Sequence, residues 1–250
     1  MFSVFGITQS GKTTTIEKII SELVKRRYSV GSVKEIHFEK FAIDTPGSNT
    51  HRHKCAGSTL VTARGHNETD ILFQEKLSIN DILKFYDHEY VVMEGVTDSN
   101  IPKIITAHTI DEIEERLDNL VFAISGKIST QINEYKGIPV INAVENAEKL
   151  VDLIEEKVYE KLPDFPPECC GFCGYSCTQL GAKILTGKAK RSDCIISKGN
   201  IQLIINDKKI DMVPFVQKIL FNAVNAVVSE LEGFKKNADI TIKIGNNNGL

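Results

Sequence analysis

The sequence predicts an α/β fold: a mostly parallel sheet with helices on both faces, followed by a small C-terminal α+β module. Three observations carry this. Residues 1–160 alternate strand-like and helix-like segments, the pattern of a sheet built through crossover helices. The run Gly6-Ile7-Thr8-Gln9-Ser10-Gly11-Lys12-Thr13 sits between an apolar strand and a long amphipathic helix. Four of the six cysteines then fall between 169 and 177, behind a proline-rich break.

The elements follow in order. Phe2–Gly6 reads as the first strand, and Lys12–Arg27 as a helix with Ile16, Ile19, Ile20 and Leu23 on one face. Ser29–Ile36 is a strand. His37–Gly57 is a polar loop, and an irregular segment of that length in a compact domain is functional or disordered. Ser58–Arg64 and Asp70–Gln74 are strands joined by a turn at Gly65-His66-Asn67. Ile79–Tyr86 is a short helix, and Tyr90–Met93 a buried strand running into Glu94-Gly95. Ile104–Ala107, Asn119–Ser125 and Pro139–Asn142 are further strands, and the helix Ala147–Leu162 closes a domain of residues 1–162. Pro163-Asp164-Phe165-Pro166-Pro167 resists helix and marks the boundary. The second domain, 168–250, holds the cysteine cluster, a helix near Thr178–Leu185 and a hairpin around Asn206-Asp207. It ends with a helix Val213–Leu231 and a strand Asp239–Ile244.

Composition narrows the function class. At 250 residues, 42% apolar and 25% charged, the chain is an ordinary soluble globular sequence. A net charge of −3 gives no electrostatic basis for binding nucleic acid or anionic membrane. No apolar run reaches the ~20 residues that span a bilayer. Met1 opens directly into a core strand, so the expected location is the cytoplasm, where disulfides are rare.

The run Gly6–Thr13 has the spacing of a phosphate-binding loop. Its glycines let successive N–H groups converge on phosphate oxygens, Lys12 adds charge over the outer phosphates, and the Thr13 hydroxyl can ligate Mg²⁺. The helix beginning near Lys12 presents its positive end to the same anion. Gly6, Thr8, Gln9, Ser10, Gly11, Lys12, Thr13 and Thr14 form the candidate nucleotide-binding set. Val91-Val92-Met93-Glu94-Gly95 has the form of the second nucleotide motif. There Glu94 can hold a metal-bound water or orient a nucleophile. Asp44 either approaches Mg²⁺ from the polar loop or caps the Pro46-Gly47 turn. Arg52 either spreads charge off phosphoryl oxygens or forms a surface ion pair. His37, His51 and His53 are a metal site or solvated loop residues. No Asn-Lys-x-Asp run fixes the base, although Ser125-Gly126-Lys127 and Asn142 fall at late strand ends where base contacts lie.

The polar loop makes a resemblance specific. Val33-Lys34-Glu35-Ile36-His37, Ile43-Asp44-Thr45-Pro46-Gly47-Ser48-Asn49-Thr50-His51-Arg52-His53 and Ala56-Gly57-Ser58 resemble the molybdopterin-guanine dinucleotide biosynthesis protein B (MobB) family. With the phosphate loop and Glu94-Gly95, the resemblance covers about residues 1–160. It implies a P-loop NTPase of SIMIBI-like fold that binds GTP and Mg²⁺, hydrolyses GTP slowly and forms a homodimer. Its implied partners are the molybdenum-cofactor guanylyltransferase, which attaches GMP to molybdopterin, and molybdopterin-carrying proteins. On that resemblance Gly6, Gly11, Lys12, Thr13 and Thr14 contact phosphate and Mg²⁺; Lys12, Glu94 and Arg52 are the catalytic set, with Asp44 beside them. The sequence departs from the family pattern at Phe38, Ser48 and Asn49, where the family has a second His, a charged residue and an Asp.

Cys170, Cys173, Cys177 and Cys194 are separated by two, three and sixteen residues. Three thiolates on a glycine-rich turn plus a remote fourth suit a cubane cluster, and zinc is the alternative. The segment also resembles small [4Fe–4S] modules that begin Cys-Gly-x-Cys-Gly and end Asp-Cys, with Cys169 an alternative first ligand. Archaeal MobB-like proteins with such an appended segment resemble most of the chain. Cys55 is a core or loop thiol. The expected function is a slow GTPase accessory to molybdenum or tungsten cofactor maturation. Two rivals remain: a GTP-dependent nickel or zinc metallochaperone, and an ATPase linked to cluster redox.

Overall fold

Apolar residues alternate in facing along the first strand, β1 (Phe2–Gly6), and that decides how the sheet is covered. Phe2 and Val4 look into one core and Phe5 into another. The structure, a computed structural model, describes residues 1–39, 41–165, 170, 173–194, 196, 201–205, 208–234 and 240–242. It divides into two compact units, Met1–Asp164 with Cys177–Arg191, and Phe165–Ser176 with Ser192–Leu250. The segment Cys177–Arg191 thus groups with the first unit, whereas the sequence reading drew the domains as 1–162 and 168–250.

The first unit is built on five parallel strands. In chain order they are β1, β2 (Val30–Lys34), β5 (Tyr90–Glu94), β6 (Lys103–Thr106) and β7 (Val121–Ser125). Their order across the sheet is β2-β5-β1-β6-β7. Between β2 and β5 lie α2 (Asn49–Cys55), β3 (Leu60–Arg64), β4 (Thr69–Phe73) and α3 (Ile79–Ile82). β3 and β4 pair antiparallel, away from the main sheet.

On one face, α1 (Lys12–Lys25) sets Ile16, Ile19 and Leu23 against Phe2, Val4, Val92 and Ile104. α5 (Ala147–Lys157) adds Leu150, Val151 and Ile154 to that core. On the other face, Phe5, Ile105 and Ile124 pack on Ile113 of α4 (Ile110–Glu114) and on Ile128. A further cluster joins Val91 and Met93 to Ile79 and Leu83. Helices on both faces of a parallel sheet are therefore observed, as the alternation predicted.

Several boundaries differ from the sequence reading. α1 stops at Lys25 because Arg27 turns left-handed (φ 70°) and the Tyr28 N–H caps the Leu23 carbonyl at 3.1 Å. The loop expected over His37–Gly57 contains α2, whose start is capped by the Ser48 side chain accepting from the His51 N–H. The expected strand Pro139–Asn142 is reduced to β9 (Ile138–Pro139), paired with β8 (Glu134–Tyr135), and a single bridge from Val140 to Ile124. α5 ends five residues before Leu162, as Val158 becomes extended.

α6 (Cys177–Leu185) matches the helix expected near Thr178–Leu185, with Leu185 joining the first core. In the second unit, β10 (Leu203–Ile205) and β11 (Lys208–Ile210) pair antiparallel, as the hairpin reading required. Its turn, Asn206-Asp207, lies outside the described residues. α7 (Pro214–Val228) is shorter than Val213–Leu231, with proline in its first turn. Of the expected strand Asp239–Ile244 only 240–242 are described, and they form no strand. Among the described residues no helix is long and apolar enough to cross a membrane.

Candidate nucleotide-binding site

The register of the parallel sheet assembles the site at its C-terminal edge. Val4, just before the phosphate loop, lies opposite Glu94, and Glu94 lies opposite Lys34 on its other side. The loop then turns directly into α1, whose first residues are Lys12, Thr13 and Thr14. Gly6 has φ +153°, and a Cβ there would stand 2.0 Å from the Thr106 carbonyl oxygen, so only glycine fits. Gln9 adopts φ +61° without being glycine, a conformation costing roughly 1–2 kcal/mol that its surroundings must hold.

Ser10 ties the loop to neighbouring strand ends, while Lys12 bonds back onto the loop. The Ser10 hydroxyl donates to the Ile7 carbonyl at 2.8 Å and bonds the Thr106 hydroxyl at 2.7 Å. The Ser10 carbonyl accepts from the Lys127 N–H at 3.1 Å, just beyond β7. Lys12 Nζ donates to the carbonyls of Gly6 (3.1 Å) and Ile7, curling back over its own loop. Desolvation lowers the Lys12 pKa, and the facing Glu94 carboxylate opposes that shift.

Glu94 Oε1 accepts from two donors, Thr13 Oγ1 at 3.1 Å and Lys34 Nζ at 2.8 Å. The Glu94 side chain is only 13% exposed, and its charge partner is the Lys34 ammonium, whose own side chain is 56% exposed to solvent. Thr13 Oγ1 and Glu94 Oε1 are hard oxygens at hydrogen-bond distance. They fit Mg²⁺, which takes one or two protein ligands and fills its octahedron with phosphate and water.

Beside the loop lies a cavity of about 330 Å³. Gly11, Thr14 and Thr15 line one side, and Gly126, Lys127, Asn142 and Glu145 the other. Its size and largely apolar walls with a few polar groups suit a nucleoside. Asn142 Oδ1 accepts from the Val144 N–H at 3.0 Å, which fixes the turn carrying Glu145.

The other expected residues lie elsewhere. Asp44 Oδ1 accepts from the hydroxyls of Ser48 (2.6 Å) and Thr50 (2.8 Å), and these bonds hold its carboxyl below the usual range. Arg52 rides exposed on α2. Among the described residues no hydrogen bond or ion pair joins Asp44 or Arg52 to Lys12, Thr13 or Glu94. Gly47 donates its N–H to His51 Nδ1 at 3.4 Å, and the Cys55 sulfur lies 3.7 Å from the same nitrogen.

Among the described residues no three His, Cys, Asp or Glu side chains gather into a metal-holding group. No site on His37, His51 and His53 is formed there, and the expected ligands Cys170, Cys173, Cys177 and Cys194 are divided between the two units. Cys177 opens α6 in the first unit, and the other three belong to the second. Cys169 and Gly171 lie outside the described residues.

A family model described as molybdopterin guanine dinucleotide synthesis protein B, MobB, matches residues 1–125, half of the chain. This chain belongs to the MobB family. A Methanocaldococcus jannaschii protein, named provisionally as a molybdopterin-guanine dinucleotide biosynthesis adapter protein, is 26% identical over 251 residues. That alignment takes in 98% of this chain and 97% of that one. The Haemophilus influenzae molybdopterin-guanine dinucleotide biosynthesis adapter protein is 30% identical over 110 residues, 42% of this chain and 61% of that one. The crystal structure of Bacillus subtilis MobB superposes with a TM-score of 0.54 at 21% identity. It covers 63% of this chain and 97% of that one, a likeness of fold.

In this MobB-family chain the residues that motif reading missed are Lys34, Thr106, His108 and Glu145. Lys34 lies in a run that carries the family resemblance but was given no role there, and the other three belong to no motif. Three stand at or just beyond the C-terminal end of a sheet strand beside the loop, and that position was the available signal.

Proposed function

We propose that the chain binds GTP with Mg²⁺ at the loop Gly6–Thr14, hydrolyses it slowly, and serves as an adapter in molybdopterin guanine dinucleotide synthesis. The observation that carries the reading is the convergence of Lys12, Thr13 and Glu94 beside a nucleoside-sized cavity. Thr8, Gln9, Ser10 and Gly11 supply backbone to the phosphates, Lys12 swings from the loop carbonyls to the outer phosphates, and Thr13 and Glu94 hold the metal. Mg²⁺ neutralises charge on the phosphoryl oxygens. Lys34, once Glu94 turns to the metal, is released as a second cation at the mouth of the site.

Guanine suits the cavity better than adenine. The Glu145 carboxylate is an acceptor, and guanine offers two N–H donors on the edge where adenine offers a lone pair. The relatives' names support a partner in molybdopterin-guanine dinucleotide biosynthesis, and the proposal takes it to be one that attaches GMP to molybdopterin or one that carries molybdopterin. A homodimer is part of the proposal. Leu60, Ile71 and Phe73 on the β3–β4 hairpin are 37–48% exposed, an apolar ribbon with open strand edges. Sedimentation at micromolar concentration tests it: a monomer there removes the dimer from the proposal.

The experiment for the main reading is titration with GTP and ATP, each with Mg²⁺, followed by phosphate release over hours. Preferential GTP binding with slow release supports it; absence of binding to either nucleotide refutes it. Iron–sulfur binding rests on the sequence alone: the spacing of Cys170, Cys173, Cys177 and Cys194, the glycine-rich turn and the resemblance to small [4Fe–4S] modules. Iron and acid-labile sulfide analysis of anaerobically purified protein decides it, because a zinc site contains neither.

A further inference from the structure

The strained residue of the phosphate loop is gripped from outside by a side chain that no motif includes. His108 follows β6, and its Nε2 lies 3.0 Å from the Gln9 carbonyl oxygen. A carbonyl only accepts, so Nε2 carries the hydrogen. The ring is itself held. Its Nδ1 is 3.3 Å from Glu112 Oε2, and the same carboxylate oxygen takes the His108 backbone N–H at 2.7 Å. Arg116 Nη1 bonds the Glu112 carbonyl at 3.1 Å, and Gln131 reaches the His108 carbonyl at 3.5 Å. One carboxylate oxygen thus takes the His108 backbone N–H and stands beside the ring, bonding Nδ1 when both ring nitrogens carry hydrogen, and the ring donates to Gln9.

We propose that His108 is a positioning residue for the nucleotide site, holding Gln9 left-handed so that the next N–H, that of Ser10, stays aimed into the loop. The peptide between Gln9 and Ser10 is planar and trans, so its C=O and N–H point in opposite directions. Fixing the carbonyl toward His108 therefore turns the Ser10 N–H to the far side. There it meets only the Ile7 carbonyl, at 3.4 Å, longer than an ordinary bond and readily exchanged for a phosphate oxygen. Gln9 at φ +61° has no intrinsic reason to remain there, and Thr106 and Lys127 secure Ser10 but not the Gln9 peptide. Thr106 and His108, two residues apart, brace consecutive loop residues from one strand end. Glu112 acts one step further out, by orienting the ring.

This rests on the nucleotide-binding reading, and the test separates the two. His108→Phe keeps the ring volume without a donor, and His108→Gln places an amide N–H at the same reach. In the full chain, His108→Phe is expected to weaken GTP·Mg²⁺ binding about five- to tenfold, the worth of one hydrogen bond. Exchange of the Ser10 and Gly11 amides in the nucleotide-free protein should quicken in parallel, and His108→Gln should restore both to within about threefold. Wild-type affinity in His108→Phe overturns the proposal, as does His108→Gln behaving like His108→Phe, since that reports ring packing alone. If His108→Phe does not fold, Glu112→Ala decides, because it leaves neither an acceptor for the His108 N–H nor a neighbour for its ring: faster exchange of the same two amides supports the proposal and unchanged exchange overturns it. Failure of the wild-type chain to bind nucleotide is a different result. It refutes the nucleotide reading, while the exchange measurement still reports on Gln9.

Discussion

The phosphate loop and the segment 37–57 carry similar densities of polar side chains, yet only the first brings its chemistry together. Gly6–Thr14 is bounded by strands whose register is fixed, and it meets groups from β5, β6 and the turn after β7. In 37–57 the polar groups serve one another: Asp44 takes Ser48 and Thr50, Ser48 caps α2, and His51 faces Gly47 and Cys55. The difference is one of span. A residue at a strand end inherits neighbours from distant sequence, whereas one in a polar loop finds its nearest partner within a turn.

The sharpest way to break this comparison is to spoil the register-held loop. Gly6→Ala sets a Cβ 2.0 Å from the Thr106 carbonyl oxygen, and about 3 kcal/mol or more of stability should go with nucleotide binding. Thermal unfolding with and without GTP reads both, and an unshifted midpoint would contradict the close approach. Next in size is Glu94→Gln. If the carboxylate orients water and metal as proposed, phosphate release in single turnover should fall about a hundredfold.

Glu145→Gln sharpens the account of the cavity. The guanine preference proposed for this carboxylate predicts a drop of about tenfold in the GTP-to-ATP affinity ratio, the worth of a hydrogen bond to a charged group. An unchanged ratio moves base recognition elsewhere.

The smallest effects belong to the polar segment. Ser48→Ala should cost about 1 kcal/mol at the start of α2, seen as faster amide exchange there, and leave GTP affinity unchanged. The bond from Ser48 depresses the Asp44 pKa below its ordinary 3.8. That contribution is complete above pH 4 and lost as acid carries the pH down through the lower folded value, so α2 should fray only at the acid end. Arg52→Ala should alter GTP affinity by no more than about threefold, since Arg52 is exposed and, among the described residues, no hydrogen bond or ion pair joins it to Lys12, Thr13 or Glu94. A larger loss would show that the segment closes on bound nucleotide.

The same contrast explains what could be read in the chain beforehand. Strand β1, the loop and α1 were legible because apolar periodicity and glycine spacing are local signals. Glu94 was legible as the polar end of a buried run. α2 was not, because Ser48 looked like one more polar residue of a turn, and its capping role appears only with the helix behind it. Lys34, His108 and Glu145 were invisible as site residues for a different reason. Their roles depend on which strands are neighbours, and the order β2-β5-β1-β6-β7 is not written in any single segment. The thiol spacing was a strong sequence signal, yet the described residues of 170–194 gather no metal-holding group.

Calorimetric titration of GTP·Mg²⁺ into the chain and into Lys12→Ala tests the central claim most directly. Lys12 Nζ is poised over the loop by two backbone carbonyls, ready to transfer to phosphate. The variant should bind roughly a hundredfold more weakly, the loss of a charge-assisted contact. A Lys12→Ala chain that still holds GTP as tightly as the wild type would show that this loop does not bind the nucleotide.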